Sequence, residues 1–457
     1  MSTPEAILTL SRQAVIAPAG HGKTELIAKA AALGQRTLVL THTHAGVHAI
    51  RARLKRLCVP SQVVSVDTIA SWACRYVRAF PRHANQPPLN PRGRDWDSVY
   101  SGALAMLSSQ IVQRVIEASY DRILIDEYQD CEQNQHAIAL KLSSIVPTVI
   151  FGDPMQGIFE FVPSRISWAS SVANNFNQAY ELEVPHRWEN SNPELGNWIA
   201  QTRLKLQNGQ AIDLRDGPLT YVQSGDPFDM SLFFDGMEER AGSTAGIYCW
   251  RNTCNELAKV TRGAFQSIEE IAAQRLIDFA SAWDEAQQNS LIRGQALRAL
   301  IDDVMTHAPT TTAQLDATLP AAWHRLCQTG LARDALEVIR LERAQATARA
   351  FRGELLGDTR RAIADVAAGR HRSMVEACEA VRHRLGIVGR APVARTISTP
   401  LLLKGLEFDH VLIPDANHFV RQQFAAAKLF YVAISRARYS LTISSRHPVL
   451  QFPVPNL

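Results

Sequence analysis

Nine residues near the start, APAGHGKTE at 17 to 25, follow the apolar run AVIA (14 to 17) and lead into a helical pattern. Gly20 and Gly22 permit a loop whose backbone N–H groups turn toward an anion, and a strand, loop and helix in that order set the loop at the helix's positive end. Lys23 supplies a positive charge to the β/γ-phosphates of a nucleotide, and Thr24, at the mouth of the helix, is placed to bind Mg²⁺. Ala17, Pro18, Ala19, Gly20, His21, Gly22, Lys23 and Thr24 together read as a P-loop, with Ala17 where the first glycine usually stands. A loop of this kind needs a parallel sheet behind it, which commits the chain to an α/β architecture.

The first half has the matching pattern. Short β-rich runs, TLVLT (37 to 41), VVSV (63 to 66), RILID (122 to 126) and TVIFG (148 to 152), alternate with helical segments. Such alternation predicts strands whose carboxyl ends carry the functional residues. The fourth run ends in IDEYQD. There Asp126 can hold Mg²⁺ and Glu127 can orient or deprotonate an attacking water, so the pairing with the P-loop predicts nucleotide hydrolysis.

At 457 residues the chain has room for two or three domains, and 46% hydrophobic with 20% charged residues excludes a disordered or fibrous protein. A formal charge of +4 is compatible with a phosphate-tracking surface and decides nothing alone. The seven cysteines include no C-x-x-C pair, which argues for reduced thiols and against a zinc ribbon or iron–sulfur cluster. Neither a signal segment nor an apolar stretch of membrane length is present, so the expectation is a soluble, cytoplasmic protein without membrane contact. Residues 80 to 100, rich in Pro, Asn, Arg and Gly, read as a loop or short excursion. From about 266 to 384 the strand signals give way to Ala-, Leu-, Arg- and Glu-rich helical periodicity, and strands return with VARTIS, VLIPDA and SLTIS.

With the segments around it, IDEYQD resembles the UvrD/Rep-type superfamily 1 helicases over roughly 330 residues. TLVLTHTHAGVHAIRARL looks like motif Ia and VSVDTIASWACRYV like motif Ib. FGDPMQGIFEF resembles motif III, VPHRWEN motif IV and GIYCWRNTCNELA the strand and helix after it, while LLLKGLEFDHVLIP and LFYVAISRAR resemble motifs V and VI. The resemblance implies two RecA-like P-loop domains with parallel sheets. The first spans 1–175 with a short 1B-like excursion at about 76–118, the second spans 176–265 and 385–457, and a reduced 2B-like helical insertion fills 266–384. It implies ATP and Mg²⁺ as cofactors, Gln156 as a sensor of the γ-phosphate, and Arg187 and Arg436 reaching the phosphates from the second domain as the domains close. Gly405 and Glu407 would serve the ribose side of the nucleotide, and His186 stands where the family usually stacks a tyrosine on adenine. Phe159 and Phe161 occupy positions of base-stacking aromatics, although alternate aromatics equally suit one buried strand face. Thr41, Thr43, Thr68 and Thr399 are candidates for the phosphodiester backbone, each also readable as a strand former or helix cap.

Several positions depart from the family. No glutamine stands about twenty residues before Lys23, Leu401 and Leu402 replace a histidine and a serine, and Ala70 replaces a histidine. Only about fifty residues separate motif Ib from IDEYQD, where larger members insert a subdomain. The implied activity is an ATP-driven 3′ to 5′ translocase or DNA helicase on single-stranded DNA, with RNA left open. The alternative is a nucleic-acid-sensing regulatory ATPase that controls a partner nuclease without processive unwinding. In size and kind the chain is similar to the small UvrD-like component of Gabija anti-phage systems, whose partner is an OLD-type nuclease.

Overall fold

The structure is a computed structural model and describes residues 3–82, 88, 91, 93–159, 165–268, 274–287, 289–307, 318–388 and 393–457. The chain forms two compact units. One comprises Met1–Pro218, Phe419–Tyr439 and Val449–Leu457, and the other Leu219–His418 and Ser440–Pro448.

The first unit is built on strands β1 (Gln13–Ile16), β2 (Thr37–Thr41), β3 (Val64–Thr68), β4 (Arg122–Ile125), β5 (Thr148–Gly152) and β6 (Asn177–Glu181), in the order β3-β2-β4-β5-β1-β6. All neighbouring pairs in this sheet run parallel. The two runs TLVLT and TVIFG are buried along their whole length, as strands covered on both faces must be. Side chains alternate between faces, so each strand feeds two cores. Val15, Val39, Leu124, Val149 and Phe151 pack against helices Lys23–Leu33 and His44–Arg56 through Ile27 and Ile50. Ala14, Leu38, Leu40, Ile123, Ile125 and Ile150 face the opposite way, toward Trp72, Met106, Ile116 and Phe176.

The sequence reading and this unit differ at two places. Residues expected to form an excursion fold back as helices Asp95–Leu107 and Gln110–Ser119, whose Val99, Met106 and Ile116 are fully buried in the sheet's second core. The sheet also continues past the expected boundary at 175, because β6 pairs with β1. Its sequence NQAYE has no buried position, as befits an edge strand, and so gives no hydrophobic signal.

After the two-residue strand β7 (Ile212–Asp213), the second unit supplies β8 (Thr220–Gln223), β9 (Thr244–Ile247) and β10 (Gln266–Ser267). An antiparallel pair, β11 (Met305–His307) with β12 (Ala348–Ala350), lies among the helices, followed by β13 (Arg395–Ser398), β14 (Phe408–Ile413) and β15 (Ala437–Ser445). The second sheet has the order β10-β13-β9-β14-β15-β8, and the pairs β10–β13, β13–β9, β9–β14 and β15–β8 are parallel. The short strand β16 (Val449–Leu450) pairs with β7. The expected two-sheet α/β architecture with a helical insertion is therefore present. The insertion holds helices Gln274–Glu285, Ser290–Val304, Thr318–Thr329, Ala332–Ala344, Gly353–Ala367 and Met374–Val388. Leu276, Phe279, Ala280 and Trp283 recur at helical spacing and join Leu300, Val338, Leu355 and Val381 in a separate core. The hairpin β11–β12 was not anticipated, nor was the pairing of Gln266 and Ser267 with β13, which draws the insertion's start into the sheet.

Candidate active site

Strand β1 passes into the loop through Ala17, whose N–H donates to the Gly152 carbonyl at 2.9 Å and extends the pairing with β5. The His21 N–H then closes a turn on the Pro18 carbonyl at 3.1 Å. Gly20 and Gly22 adopt φ of +77° and +81°, a region L side chains rarely enter. Space forbids a side chain as well: a Cβ at Gly20 would lie 2.5 Å from the Trp188 ring, and one at Gly22 would lie 3.1 Å from His186 Cδ2. Gly22 is the N-cap of helix Lys23–Leu33 and gives no side-chain cap, so the first-turn N–H groups have no acceptor within the helix. His21 is buried and its imidazole is pushed below its ordinary pKa by that burial, which leaves Nδ1 to donate to the Ala19 carbonyl at 2.9 Å. Gly20→Ala is expected to abolish nucleotide binding in a fluorescent-nucleotide titration while the chain still folds, since the added methyl must displace Trp188 or reverse the loop. Wild-type affinity in that variant would contradict this reading of the loop.

Lys23 Nζ lies 2.8 Å from Asp126 Oδ1 and 2.5 Å from Glu127 Oε1. Burial alone depresses an ammonium's pKa, but here the charges of the two carboxylates outweigh it and hold Lys23 above the usual lysine range. Asp126 is raised, by burial first and by the adjacent Glu127 charge, against the pull of Lys23. The two acids differ in situation. Asp126 is 3% exposed and prolongs β4, with its N–H donating to the Leu40 carbonyl at 2.8 Å. Glu127 sits in the left-handed region at φ 54°, ψ 38°, a conformation that costs a non-glycine residue on the order of 1 kcal/mol or more. That kink turns the chain from the strand into the short helix Tyr128–Asp130. Two contacts hold it, the Glu127 N–H donating to Asp126 Oδ1 at 2.8 Å and Gln129 Nε2 donating to Glu127 Oε2 at 2.5 Å.

Strand β5 is followed directly by Asp153, which is fully buried. Its Oδ1 accepts from Arg203 Nη2 at 3.0 Å and from the Met155 N–H at 3.1 Å, and its Oδ2 accepts from Gln156 Nε2 at 3.0 Å. The expected sensor Gln156 is therefore turned onto Asp153, with 8% of its surface exposed. Arg203, on helix Pro193–Gln207, also pairs with Glu181 Oε1 at 2.7 Å, and the two carboxylates keep its guanidinium firmly charged despite the burial.

Arg187 and Arg436 were expected on the second domain; both lie in the first unit. The Arg187 N–H donates to the Gly20 carbonyl at 2.9 Å, and its Nη1 donates to the Ser435 carbonyl at 2.5 Å. Arg436 is 2% exposed, with Nε donating to the Val432 carbonyl at 2.8 Å and Nη2 to Ser435 Oγ at 2.7 Å. The physical reason is the helix before it. Eight of the nine residues of Ala426–Ile434 are buried, so it is apolar on nearly every side and must sit inside a core. It packs on helix Pro193–Gln207 and on the turn Pro154–Gln156, fastened by Trp188 Nε1 donating to the Ala437 carbonyl at 2.7 Å.

The remaining candidates scatter. His186 is exposed, Nδ1 bonded to Glu189 Oε1 at 2.9 Å, beside Gly22. Gly405, Glu407 and Thr399 belong to the second unit, Glu407 exposed and Thr399 at 9% exposure. Thr41 is 1% exposed at the end of β2. Thr43 and Thr68 are helix N-caps, accepting from the Gly46 and Ser71 N–H groups at 3.1 and 3.0 Å. Phe159 carries the Arg165 guanidinium over its ring at 4.8 Å, and Phe161 lies outside the described residues. Sequence reasoning missed Gln129, Asp153, Arg203 and Tyr431. The first two were visible as polar residues following buried strands, in DEYQD and FGDP.

A glycine cradle, an uncapped helix start, an ammonium, a hydroxyl at Thr24 and a carboxylate at Asp126 form a donor set that fits a magnesium nucleotide. Residues 90–177, which contain Asp126, Glu127 and Gln156, match the UvrD/REP helicase N-terminal domain family. Over 118 residues the chain is 34% identical to an ATP-dependent helicase/nuclease subunit of Leuconostoc mesenteroides subsp. mesenteroides, a match covering 26% of this chain and 9% of that protein. The match thus spans less than a tenth of that relative's length. Among solved structures, the Pif1 helicase from Candida albicans aligns with a TM-score of 0.43 and 10% identity over 97% of this chain and 93% of that one. An arterivirus nonstructural protein 10 (helicase) aligns with a TM-score of 0.35 and 12% identity, over 97% of this chain and 61% of that one. Among the described residues no helix is long and apolar enough to cross a membrane.

Proposed function

We propose that the chain, whose residues 90–177 match the UvrD/REP helicase N-terminal domain family, is a UvrD/Rep-type superfamily 1 helicase that hydrolyses Mg-ATP to step along single-stranded DNA in the cytoplasm, 3′ to 5′. The observation that carries this is the convergence of Lys23, Asp126 and Glu127 beneath the glycine loop. Loop N–H groups and Lys23 would bind the β- and γ-phosphates, and Thr24 and Asp126 would hold Mg²⁺, which neutralises charge on the phosphate oxygens. Glu127, the more exposed of the two acids, would orient the attacking water and accept its proton. Gln156, Arg187 and Arg436 would answer the γ-phosphate, with Gly405, Glu407 and His186 on the nucleoside side. The threonines Thr41, Thr43, Thr68 and Thr399, with Phe159 and Phe161, are proposed for the strand. Thr43 and Thr68 would donate their hydroxyl hydrogens to phosphate oxygens while their own oxygens cap helices.

A second reading has support of its own. Residues 95–119 lie flat on the first sheet's core and provide no separate subdomain there to meet a duplex. In this reading the same ATP cycle senses single strands and governs a nuclease, such as an OLD-type partner in anti-phage defence.

One experiment separates the two. ATP turnover is measured with and without single-stranded DNA, followed by unwinding of a forked duplex. Several-fold stimulation with unwinding is expected of the helicase, stimulation without unwinding selects the sensor, and a turnover indifferent to strands rejects both.

A further inference from the structure

Tyr431 lies on the buried helix Ala426–Ile434, and its hydroxyl meets the nucleotide loop directly, accepting from the Ala19 N–H at 2.9 Å. The same hydroxyl donates to the Asp153 carboxylate. From there the bonds continue. The Asp153 N–H donates to Gln129 Oε1 at 3.1 Å, Gln129 Nε2 donates to Glu127 Oε2 at 2.5 Å, and Glu127 Oε1 lies 2.5 Å from Lys23 Nζ. The path leaves the loop at Ala19 and re-enters it at Lys23, so it is a closed ring. Gln156 hangs from it by its bond to Asp153, and Arg203 anchors Asp153 from outside.

We propose that the Tyr431 hydroxyl is a positioning group for hydrolysis, fixing where Glu127 and Gln156 stand relative to the loop that holds the phosphates. This rests on the ATPase reading above. Tyr431 touches no phosphate; it acts through Ala19 and Asp153. Burial and the Asp153 charge push its phenol far above the ordinary tyrosine range, so the hydroxyl stays protonated and can accept from Ala19 while donating to Asp153. A phenylalanine fills the same space but breaks the ring at both bonds. Ala19 is 5% exposed and Asp153 0%, which leaves little access for water to replace the hydroxyl. Lys23 and the glycine N–H groups, which serve binding, are retained, and the groups that act on the water and the γ-phosphate lose their register. Loss of an interaction needed in the transition state lowers kcat and spares KM.

The test compares Tyr431→Phe with Tyr100→Phe, which loses another buried hydroxyl of the same unit, one accepting from Gln135 Nε2 at 3.0 Å. Hydrogen exchange of the 14–24 segment is followed in nucleotide-free protein, together with kcat, KM and melting temperature. For Tyr431→Phe the loop amides are expected to exchange faster, and kcat to fall about tenfold or more with KM within about threefold. For Tyr100→Phe neither should change, even where the melting temperature falls as much. Wild-type exchange and kcat in Tyr431→Phe overturn the proposal, as does an equal fall in Tyr100→Phe. Should the wild-type chain hydrolyse no ATP, the ATPase reading fails; the exchange experiment still decides whether Tyr431 holds the loop.

Discussion

Glu127→Gln is expected to reduce steady-state ATP hydrolysis by about 10²–10⁴-fold, the usual contribution of a positioned general base, with nucleotide affinity within a few-fold of wild type. The substitution is nearly isosteric. Gln129 Nε2 can still donate to the remaining amide oxygen, the left-handed backbone keeps its bond to Asp126 Oδ1, and Lys23 retains Asp126 at 2.8 Å. What disappears is a negative charge able to take a proton. The charge removed also lies 2.5 Å from the Lys23 ammonium, so the lysine becomes more available to phosphate, and binding should hold or tighten. Turnover above about a tenth of wild type would exclude Glu127 as the group that activates water. Equal loss of binding and turnover would make it a loop-shaping residue.

A second large effect is expected at Arg203. Arg203→Met removes the counter-ion from a fully buried Asp153 and should destabilise the first unit by about 3–5 kcal/mol, read from the midpoint of chemical unfolding. The magnitude comes from stranding a carboxylate, because the methionine fills much of the same volume. Adding Asp153→Asn to Arg203→Met should therefore recover part of the loss, a coupling that independent sites would lack. The exposed pair Arg215 and Asp213 is the natural control, and its removal should leave the midpoint unmoved. A midpoint for Arg203→Met within the error of wild type would mean that water or a rearranged side chain compensates Asp153.

The parts of this fold that could be read in advance are those in which local residues determine the outcome. The runs TLVLT and TVIFG are buried on both faces and declare themselves by composition. Gly20 and Gly22 stand at positions where only glycine fits, so spacing alone located the loop. Asp126 and Glu127 could be placed because a parallel strand delivers its last residues to one edge of the sheet. The misplaced residues depend on information remote in sequence. Strand β6 is an exposed edge whose identity comes from its partner β1, and nothing in NQAYE announces it. Arg187 and Arg436 were placed on the second domain by the family resemblance, which carries no information on how this chain packs. The helix Ala426–Ile434 is drawn into the first unit by its almost uniformly apolar surface. Nothing in the run PELGNWIAQTRLKLQ distinguishes Arg203 from a surface base; only packing shows it opposite Asp153.

The tyrosine that steadies the loop is separated from Ala19 by 412 positions. On a ribosome adding roughly 5–20 residues per second, the glycine turn emerges on the order of half a minute before its clamp has been synthesised. Throughout that interval the Ala19 N–H lacks the hydroxyl that it meets in the finished fold.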